Sequence, residues 1–303
     1  MSHTPVLLKE VLEQLDPHQG DFIIDGTVDG GGHATAILEK ILPEGKLLGV
    51  DWDERLLAAT QAKFQEKFGD AAGVMFMHGN YADLPDLLSK IFEKEDIGKA
   101  DGLLIDLGFS SEQLQASGRG FSFAEASKDE PLLMTYSDAQ TSVAQILREI
   151  GEDDLANIIY EFGGERMSRR IAKTIKDNGR RKPIETSGQL ADIVRGALPK
   201  SYERGRIDPA TRTFQALRIY ANGELKNLKK ILDDLPEVLK PGGRAVIITF
   251  HSLEDRIVKQ EFRRMAQEGT ATLLTKKPIA ATREEIKSNP RSRSAKLRAI
   301  TLS

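Results

Sequence analysis

A short segment near the start of the chain brings together three consecutive glycines, two acids and a histidine. Residues 25–33 read Asp-Gly-Thr-Val-Asp-Gly-Gly-Gly-His. The apolar run 22–24 before them predicts a buried strand, and the apolar spacing in 34–42 predicts a helix. Glycines at such a turn let the backbone fold tightly and let a ligand approach it closely. A second predicted strand, 46–50, ends in Asp51, whose carboxylate is placed to accept hydrogen bonds from ribose hydroxyls. This order of elements predicts a nucleoside cofactor site.

Two cofactor classes compete for this glycine turn. A dinucleotide site calls for Gly-x-Gly-x-x-Gly, and the glycines at 26 and 30–32 do not fit that spacing. The acids Asp25 and Asp29 would repel a pyrophosphate but attract the ammonium and sulfonium groups of S-adenosylmethionine. S-adenosylmethionine is therefore the predicted cofactor. A nicotinamide oxidoreductase of the same fold, and a glycine-rich connection that binds no ligand, are the alternatives.

Composition places the chain among globular proteins. Its 303 residues, 40% of them hydrophobic and 29% charged, suffice for one large domain or two modest ones. With no cysteine and with five histidines that lack ligand spacing, a metal site is not expected. No apolar run has the length of a membrane span, and residues 1–15 have the pattern of an amphipathic helix rather than a signal peptide. We therefore expect a cytoplasmic protein that uses neither membrane nor metal.

The net charge of −3 conceals two halves of opposite sign. Residues 1–162 hold 12 Lys/Arg against 30 Asp/Glu, whereas residues 163–303 hold 31 against 16. The basic excess is concentrated in 163–212, with 13 against 6, and in 276–303, with 8 against 2. This asymmetry predicts that the second half contacts a polyanion, through phosphates rather than stacked bases because aromatic residues are few there. The alternative is an ordinary solvated surface.

Helices and strands alternate in the first third of the chain, which is typical of a doubly wound, mostly parallel α/β sheet. Ligands of such sheets lie at the carboxyl ends of the strands, where Asp25, Asp51 and Asp106 all fall. The further predicted elements are helices 55–68, 84–92, 143–150, 153–162, 166–176, 189–198 and 210–239, and strands 74–77, 102–105, 244–250, 272–275 and 297–301.

The alternation stops in the middle of the chain, where we find only helical patterns separated by turns such as 178–179. The strand 244–250, which follows a predicted turn at 241–243, resumes the sheet. We therefore predict a Rossmann-like sheet domain made of 1–112 and 209–303, with an inserted helical domain at 113–208.

One further polar segment, Asp-Leu-Gly-Phe-Ser-Ser at 106–111, ends the predicted strand 102–105. In an open α/β sheet this position faces the reacting centre. The alternative is a plain strand end followed by a helix that Ser110 or Ser111 caps.

Another polar segment, Phe-His-Ser-Leu-Glu-Asp-Arg at 250–256, also follows a predicted strand. Ser252 as N-cap with Asp255 three residues later predicts a capping box and an ordinary helix start. His251 is a weaker candidate for a proton acceptor.

Motifs along nearly the whole chain resemble one family, the RsmH (MraW) methyltransferases of small-subunit ribosomal RNA. So many long motifs in the same order are far more specific than a single glycine turn. The matching motifs lie at 3–8, 25–27, 30–33, 106–111, 119–123, 209–218, 241–244, 250–256 and 289–298.

The resemblance implies a class I methyltransferase fold and S-adenosylmethionine-dependent methylation of N4 of a cytidine in the decoding region of 16S rRNA. The small ribosomal subunit is the implied partner, and a homodimer is left open. By matching motif positions, the implied cofactor contacts are Gly31, Gly32, His33, Asp51, Tyr81, Asp106 and Gln113. We assign the RNA side to Arg119, Arg212, His251, Arg291 and Arg293.

Departures from the family fall mainly on the substrate side. The family tends to have Asp and Arg where this chain has Leu133 and Thr135, so that an acid and a base have both become neutral. At Tyr81 the family commonly has Phe, a change that keeps an aromatic face for adenine. The alternative function is an RNA-binding ribosome-assembly factor that retains the cofactor site without turnover.

The chemistry requires help with a weak nucleophile, because the lone pair of the cytosine amino group is delocalised into the ring. An acceptor for one amino hydrogen would favour a pyramidal nitrogen and then take up the proton. Asp106 is the predicted acceptor, with Ser110 and Ser111 as secondary candidates. We expect the target nucleotide to be single-stranded or flipped out of its stack.

Overall fold

The computed structural model describes residues 4–69, 73–92, 98–108, 118–199, 202 and 208–303. The chain divides into two compact units, one formed by Met1–Ser110 with Leu225–Ser303 and the other by Ser111–Glu224. Within the described residues, no helix combines the length and the apolar character that crossing a membrane requires.

The elements of the described residues follow in chain order. The strands are β1 (Phe22–Asp25), β2 (Lys46–Asp51), β3 (Val74–His78), β4 (Ala100–Asp106), β5 (Leu239–Thr249), β6 (Ala271–Leu273), β7 (Ile279–Ala280) and β8 (Lys296–Leu302). The α-helices are α1 (Leu8–Leu15), α2 (Gly32–Ile41), α3 (Glu54–Phe68), α4 (Leu84–Phe92), α5 (Val143–Glu149), α6 (Glu152–Gly163), α7 (Ser168–Arg181), α8 (Ser187–Ala197), α9 (Thr211–Asn222), α10 (Glu224–Asp233), α11 (Leu235–Val238), α12 (Ser252–Gln267) and α13 (Arg283–Ser288).

The strands form one sheet in the order β3-β2-β1-β4-β5-β8-β6, and β7 also pairs with β8. From β3 to β5 neighbouring strands are parallel, whereas β8 runs antiparallel to β5, β6 and β7. The predicted doubly wound, mostly parallel sheet is therefore confirmed. Because parallel strands end at one edge, the carboxyl ends of β1, β2 and β4 lie side by side and bring Asp25, Asp51 and Asp106 to the same edge.

The central strand β1 shows how the sheet is held. All four of its residues are buried, because helices cover both faces of the sheet. Ile24 packs into the apolar cluster that contains residues of α4, α10 and α12, while Ile23 packs into the cluster that contains residues of α1, α2 and α3. Burying one such side chain contributes roughly 1.5–3 kcal/mol, so the glycine turn begins from a firmly fixed strand.

The second unit is helical, and its boundary differs from the predicted one. We placed residues 209–224 with the sheet, but α9 lies in the helical unit, which ends at Glu224. The physical reason is close packing of α9 on α6: a Cβ added to Gly163 would lie 2.5 Å from the carbonyl oxygen of Arg212. Gln215 Nε2 also donates to the carbonyl oxygen of Phe162 at 3.2 Å. Packing of this kind joins α9 to α6 rather than to the sheet.

Three local predictions are wrong. The predicted turn at 178–179 lies inside α7, where Asn178 Nδ2 donates to the Thr174 carbonyl oxygen at 2.8 Å and so stays within the helical pattern. The predicted helix 210–239 is three helices, because Gly223 ends the first with a φ of 61°. The predicted turn at 241–243 is a bulge within β5, where its register against β4 shifts.

Candidate functional site

The glycine turn joins β1 to α2 and depends on two residues with left-handed backbone. Asp29 has a φ of 47° and Gly31 a φ of 79°. The Val28 amide donates to the Val50 carbonyl oxygen at 2.9 Å, which fastens the turn to β2. A Cβ added to Gly31 would lie 2.6 Å from the ring of Phe64. Both the backbone angle and the missing side chain therefore require glycine at this position.

A segment from the start of the chain covers the same turn. The Pro5 ring lies so close that a Cβ added to Gly32 would be 3.1 Å from it. Asn289 Nδ2 donates to the carbonyl oxygen of Thr4 at 3.1 Å, and the Leu7 amide donates to Glu285 Oε1 at 2.8 Å. Glu285 and Asn289, in the basic stretch 276–303, thus hold the segment 4–7 that lies on the glycine turn. The sequence pattern does not predict this clasp, although Thr4, Leu7 and Asn289 fall within the matching motifs 3–8 and 289–298.

Asp51 ends β2 beside the turn. Its two carboxylate oxygens accept hydrogen bonds from the amides of Asp29 at 2.9 Å and Asp53 at 2.8 Å. Burial raises the pKa of Asp51 to about 6, although the bonds from these amides lower it. Each carboxylate oxygen has lone pairs left for a further hydrogen bond. The geometry therefore allows the predicted ribose contact without any change in the turn.

Asp25 is the most deeply buried acid of the site, with 1% of its surface exposed. Oδ1 accepts from the Thr27 amide at 3.2 Å, while Oδ2 has no hydrogen-bond partner within the described residues. Burial raises the pKa of Asp25 to about 7; His33 lowers it, and the charges of Asp106 and Asp51 raise it further. The fold thus keeps a carboxyl group that would be stabilised by a positive charge.

Asp106 ends β4 with one oxygen fixed and the other directed at His33. The Gly108 amide donates to Oδ1 at 2.9 Å, and the amide of Asp106 donates to Thr27 Oγ1 at 2.7 Å. Oδ2 lies 3.4 Å from Nε2 of His33 in the first turn of α2. Asp106 is therefore oriented by two backbone contacts and shares its second oxygen with a histidine.

Tyr81 follows β3 in a short 3-10 helix, Tyr81–Asp83, that Asn80 caps by accepting from the Ala82 amide at 2.9 Å. It is half-buried. A Cβ added to Gly26 would lie 3.2 Å from the Cβ of Tyr81, so the two segments approach closely. The structure therefore brings together the glycine turn, Asp51, Tyr81 and Asp106 of the predicted cofactor set.

These groups fit a cationic nucleoside better than a dinucleotide. Asp25, Asp51 and Asp106 place three carboxyl groups at one sheet edge. Burial is the main cause of the raised pKa values of Asp25 and Asp51, and the charges of Asp106 and Asp51 raise that of Asp25 further. A ligand with an ammonium and a sulfonium relieves that repulsion, whereas a pyrophosphate increases it. The orphaned Oδ2 of Asp25 is the most direct sign of a missing positive partner.

Three of the predicted residues, Ser110, Ser111 and Gln113, lie outside the described residues.

On the RNA side, Arg119 has all three guanidinium nitrogens engaged. Nε donates to the Thr135 carbonyl oxygen at 2.5 Å and Nη2 to Thr135 Oγ1 at 2.9 Å, while Nη1 pairs with Asp138 at 2.6 Å. Arg119 thus shapes the loop that carries Thr135.

Arg212 and His251 also have partners within the fold. Nη1 of Arg212 lies 3.6 Å from Oε2 of the fully buried Glu165. His251, rather than the predicted Ser252, is the N-cap of α12: its Nδ1 accepts from the Glu254 amide at 3.3 Å, and the Glu254 carboxylate accepts from the His251 amide at 3.2 Å. The predicted capping box of Ser252 and Asp255 is therefore one residue out of register.

The basic loop before β8 presents Arg291 and Arg293 on a 3-10 helix, Pro290–Ser294. Arg293 is exposed, and Arg291 is half-buried with an Nη1 that has no hydrogen-bond partner in the described part of the chain. Two other cations of the stretch, Lys296 and Arg298, are occupied by Asp255 at 3.2 and 2.7 Å. Burial raises the pKa of Asp255, but these two hydrogen bonds outweigh it and lower the pKa overall.

Comparison with known proteins gives matches along the whole chain. Residues 1–303 match the profile of the MraW methylase family. The chain is 43% identical to the "Ribosomal RNA small subunit methyltransferase H" of Syntrophotalea carbinolica, over 98% of this chain and 97% of that one. It is 44% identical to the protein of the same name from Coprothermobacter proteolyticus, over 98% and 95%.

Among solved structures the chain is similar to TrmN from Thermus thermophilus, with a TM-score of 0.47 and 10% identity over 98% of this chain and 48% of that one. It is also similar to Aeropyrum pernix fibrillarin with natively bound S-adenosyl-L-methionine, with a TM-score of 0.41 and 13% identity over 97% and 72%.

Proposed function

Because the chain belongs to the MraW methylase family, we propose that it methylates N4 of a cytidine in the decoding region of 16S rRNA. The chain is an S-adenosylmethionine-dependent methyltransferase of small-subunit ribosomal RNA. The choice of base and of atom is the proposal. The observation that carries it is Asp106, a carboxylate that ends β4 with one oxygen fixed by the Gly108 amide and the other 3.4 Å from Nε2 of His33.

The cofactor is held by the residues around the glycine turn. When bound, S-adenosylmethionine supplies a methyl group on a positively charged sulfur. We assign its ribose to Asp51 and its positive charges to the sheet edge that carries Asp25 and Asp106, because the raised pKa of Asp25 falls when a cation approaches. The full set of proposed contacts is Gly31, Gly32, His33, Asp51, Tyr81, Asp106 and Gln113.

Asp106 would act on the amino group of the target base. Its Oδ2, which lies 3.4 Å from His33 Nε2, can accept one N–H hydrogen, which favours a pyramidal nitrogen with an available lone pair, and can then take up the proton. Ser110 and Ser111 remain secondary candidates for this contact. The site also increases the rate by holding the amino nitrogen in line with the methyl group, because proximity and orientation lower the barrier to transfer.

The acceptor atom follows in part from what the chain lacks. Methylation of cytosine at C5 generally uses a thiolate adduct, and the chain contains no cysteine. On a cytidine this leaves the exocyclic nitrogen or a ribose hydroxyl. A carboxylate that accepts an N–H hydrogen suits the nitrogen, and the family resemblance favours the same atom.

The RNA side is proposed to contact phosphates, mainly through exposed cations. α7 buries Ile171 and Ile175, and the cations on its exposed surface and at its end lie within the basic stretch 163–212. In the basic loop Arg291 and Arg293 are the proposed contacts. The small ribosomal subunit is the proposed partner, and the cytoplasm, where such subunits mature, is the proposed location. Arg119, Arg212 and His251 stay predictions, and so does a homodimer.

A second candidate function, RNA binding without turnover, is favoured by the neutral residues Leu133 and Thr135. The structure gives Thr135 a use of its own, since it is buried and accepts from Arg119 through both its carbonyl and its hydroxyl oxygen. Arg119 therefore holds the loop around Thr135 without the acid and the base that the family tends to have at positions 133 and 135. Labelled methyl groups incorporated into small subunits beyond one per enzyme would exclude this second function.

The experiment that tests the role of Asp106 is Asp106→Asn, with Asp86→Asn on the exposed surface of α4 as the matched control. If Asp106 serves the amine, the single-turnover rate at saturating cofactor falls by roughly 100-fold or more, and cofactor affinity changes far less. An equal fall of rate and affinity would mean that Asp106 only orients the cofactor. A near-normal single-turnover rate would remove Asp106 from the chemistry.

A further inference from the structure

His33 is a buried side chain that lies beside Asp106 without a hydrogen bond to either ring nitrogen within the described residues. It is 7% exposed, in the first turn of α2. Leaving a buried polar group unsatisfied costs roughly 1–3 kcal/mol. A smaller apolar residue at this position would avoid that cost, so the imidazole is a candidate for a role in the site.

Three carboxyl groups at the ends of neighbouring strands lie around this imidazole. Asp106 at the end of β4 lies 3.4 Å from Nε2, Asp25 at the end of β1 interacts with the charge of His33, and Asp51 at the end of β2 acts on Asp25 in turn. Histidine is the side chain that most readily takes up or gives off a proton near neutral pH. Nε2 of His33 therefore lies where a proton on Asp106 Oδ2 could reach it.

We propose that His33 acts on the reaction through Asp106, as the relay for its proton. Asp106 Oδ2 takes a proton from the amino group of the target base, and Nε2 of a neutral His33 takes that proton from Asp106. The inference rests on the proposed function, because it requires Asp106 to be the group that meets the amine.

The transfer balances both protons and charge. The amino nitrogen forms a bond to the methyl carbon, and the bond from that carbon to sulfur breaks with its electron pair on sulfur, which loses its positive charge. The nitrogen then gives one proton to Asp106 Oδ2, and Asp106 returns to the carboxylate as His33 becomes the imidazolium. One positive charge thus stays beside Asp25 and Asp106 until His33 releases the proton to water.

The first test compares His33→Gln with His18→Gln. Glutamine retains a polar group about where Nε2 lies but takes no proton, and His18, whose side chain is 71% exposed, provides the matched control. In His33→Gln we expect the single-turnover rate at saturating cofactor to fall roughly 100-fold, and the dependence of that rate on pH to weaken, because only a histidine can take up the proton. Cofactor affinity by calorimetry should fall by a much smaller factor than the rate, because loss of a cofactor contact affects both quantities whereas loss of the relay affects the rate alone.

The second test needs neither RNA nor cofactor. The chain has five histidines, and His33→Gln identifies the imidazole nitrogen signals of His33 in the nuclear magnetic resonance spectrum. In Asp106→Asn the imidazole nitrogen signals of His33 should shift, because Nε2 loses a carboxylate oxygen 3.4 Å away. The signals of the other four histidines should stay as in the wild type.

Two results would overturn the inference. One is a wild-type pH–rate profile in His33→Gln, and the other is a set of His33 nitrogen signals that Asp106→Asn leaves unmoved. Failure of the proposed function is distinguishable from both. A methyl group found on another atom of the RNA would contradict the choice of cytosine N4, while the spectra would still decide whether His33 contacts Asp106.

Discussion

Replacing Asp25 by asparagine should remove a loss of stability that the cofactor-free wild type undergoes as the pH rises through neutrality. Burial raises the pKa of Asp25 from 3.8 to about 7, so the folded protein holds this proton more tightly than the unfolded chain does. The stability contributed by that proton is fully present below pH 3.8 and is lost as the pH rises through about 7. The asparagine of the variant carries no such proton, and its side-chain oxygen can still accept from the Thr27 amide.

The magnitude follows from the same pKa. At about 1.4 kcal/mol for each pH unit between 3.8 and about 7, the full effect is roughly 4 kcal/mol. Between about pH 5 and pH 8 the variant should gain roughly 2–3 kcal/mol on the wild type. The constant penalty of burying an amide cancels in this difference, because it does not depend on pH.

The assay is urea unfolding of the wild type, Asp25→Asn and Asp86→Asn without cofactor at both pH values. Asp86 is exposed, so Asp86→Asn should run parallel to the wild type. If the unfolding free energies of Asp25→Asn and the wild type also change in parallel with pH, the Asp25 carboxyl is not held protonated by the fold. The electrostatic reasoning about the cofactor site would then be refuted.

Three further predictions concern the cofactor and the RNA. Asp51→Ala should weaken S-adenosylmethionine binding by roughly 1.5–3 kcal/mol, as expected for hydrogen bonds to a charged acceptor; unchanged affinity by calorimetry would place the ribose elsewhere. Neutralising Arg291 and Arg293 together should flatten the slope of log RNA affinity against log salt by about 2, and an indifferent slope would reduce the basic loop to a solvated surface. Gly31→Ala should abolish cofactor binding, since its Cβ would meet the Phe64 ring at 2.6 Å; calorimetry on a protein whose circular dichroism is unchanged checks this, and normal binding would contradict it.

Much of the sheet could be predicted because its signals are local. The apolar runs at 22–24, 46–50 and 102–105 each lie within an observed strand, and the acid that ends each strand was recognised. That Asp25, Asp51 and Asp106 meet follows from parallel strands ending at one edge. The expectation needed only the alternation of helix and strand, not any particular contact.

The errors arise where tertiary contacts override local pattern. The assignment of α9 to the sheet failed because the close contact between Gly163 and Arg212 joins residues that are far apart in the chain. His251 was not expected as an N-cap, because Ser, Thr, Asp and Asn are the usual ones and Ser252 is adjacent. A capping pattern in the sequence does not distinguish between two N-cap positions that are one residue apart.

Two features of the site could not be obtained from sequence at all. The clasp of Asn289 and Glu285 on the segment 4–7 joins the two ends of the chain. The approach of His33 to Asp106 depends on how the first turn of α2 lies over the end of β4. Both are matters of side-chain distance, for which periodicity and motif spacing carry no signal.

The central claim, that the chain methylates N4 of a cytidine in 16S rRNA, is tested most directly by the product. Small subunits from cells that lack the enzyme are incubated with the pure protein and S-adenosylmethionine, digested to nucleosides and analysed by mass spectrometry, with Asp106→Asn in parallel. The methyl group should appear on the base fragment of a cytidine whose retention time differs from that of 5-methylcytidine, and should be largely absent with the variant. A methyl group on the ribose fragment, or none on the RNA, would contradict the claim.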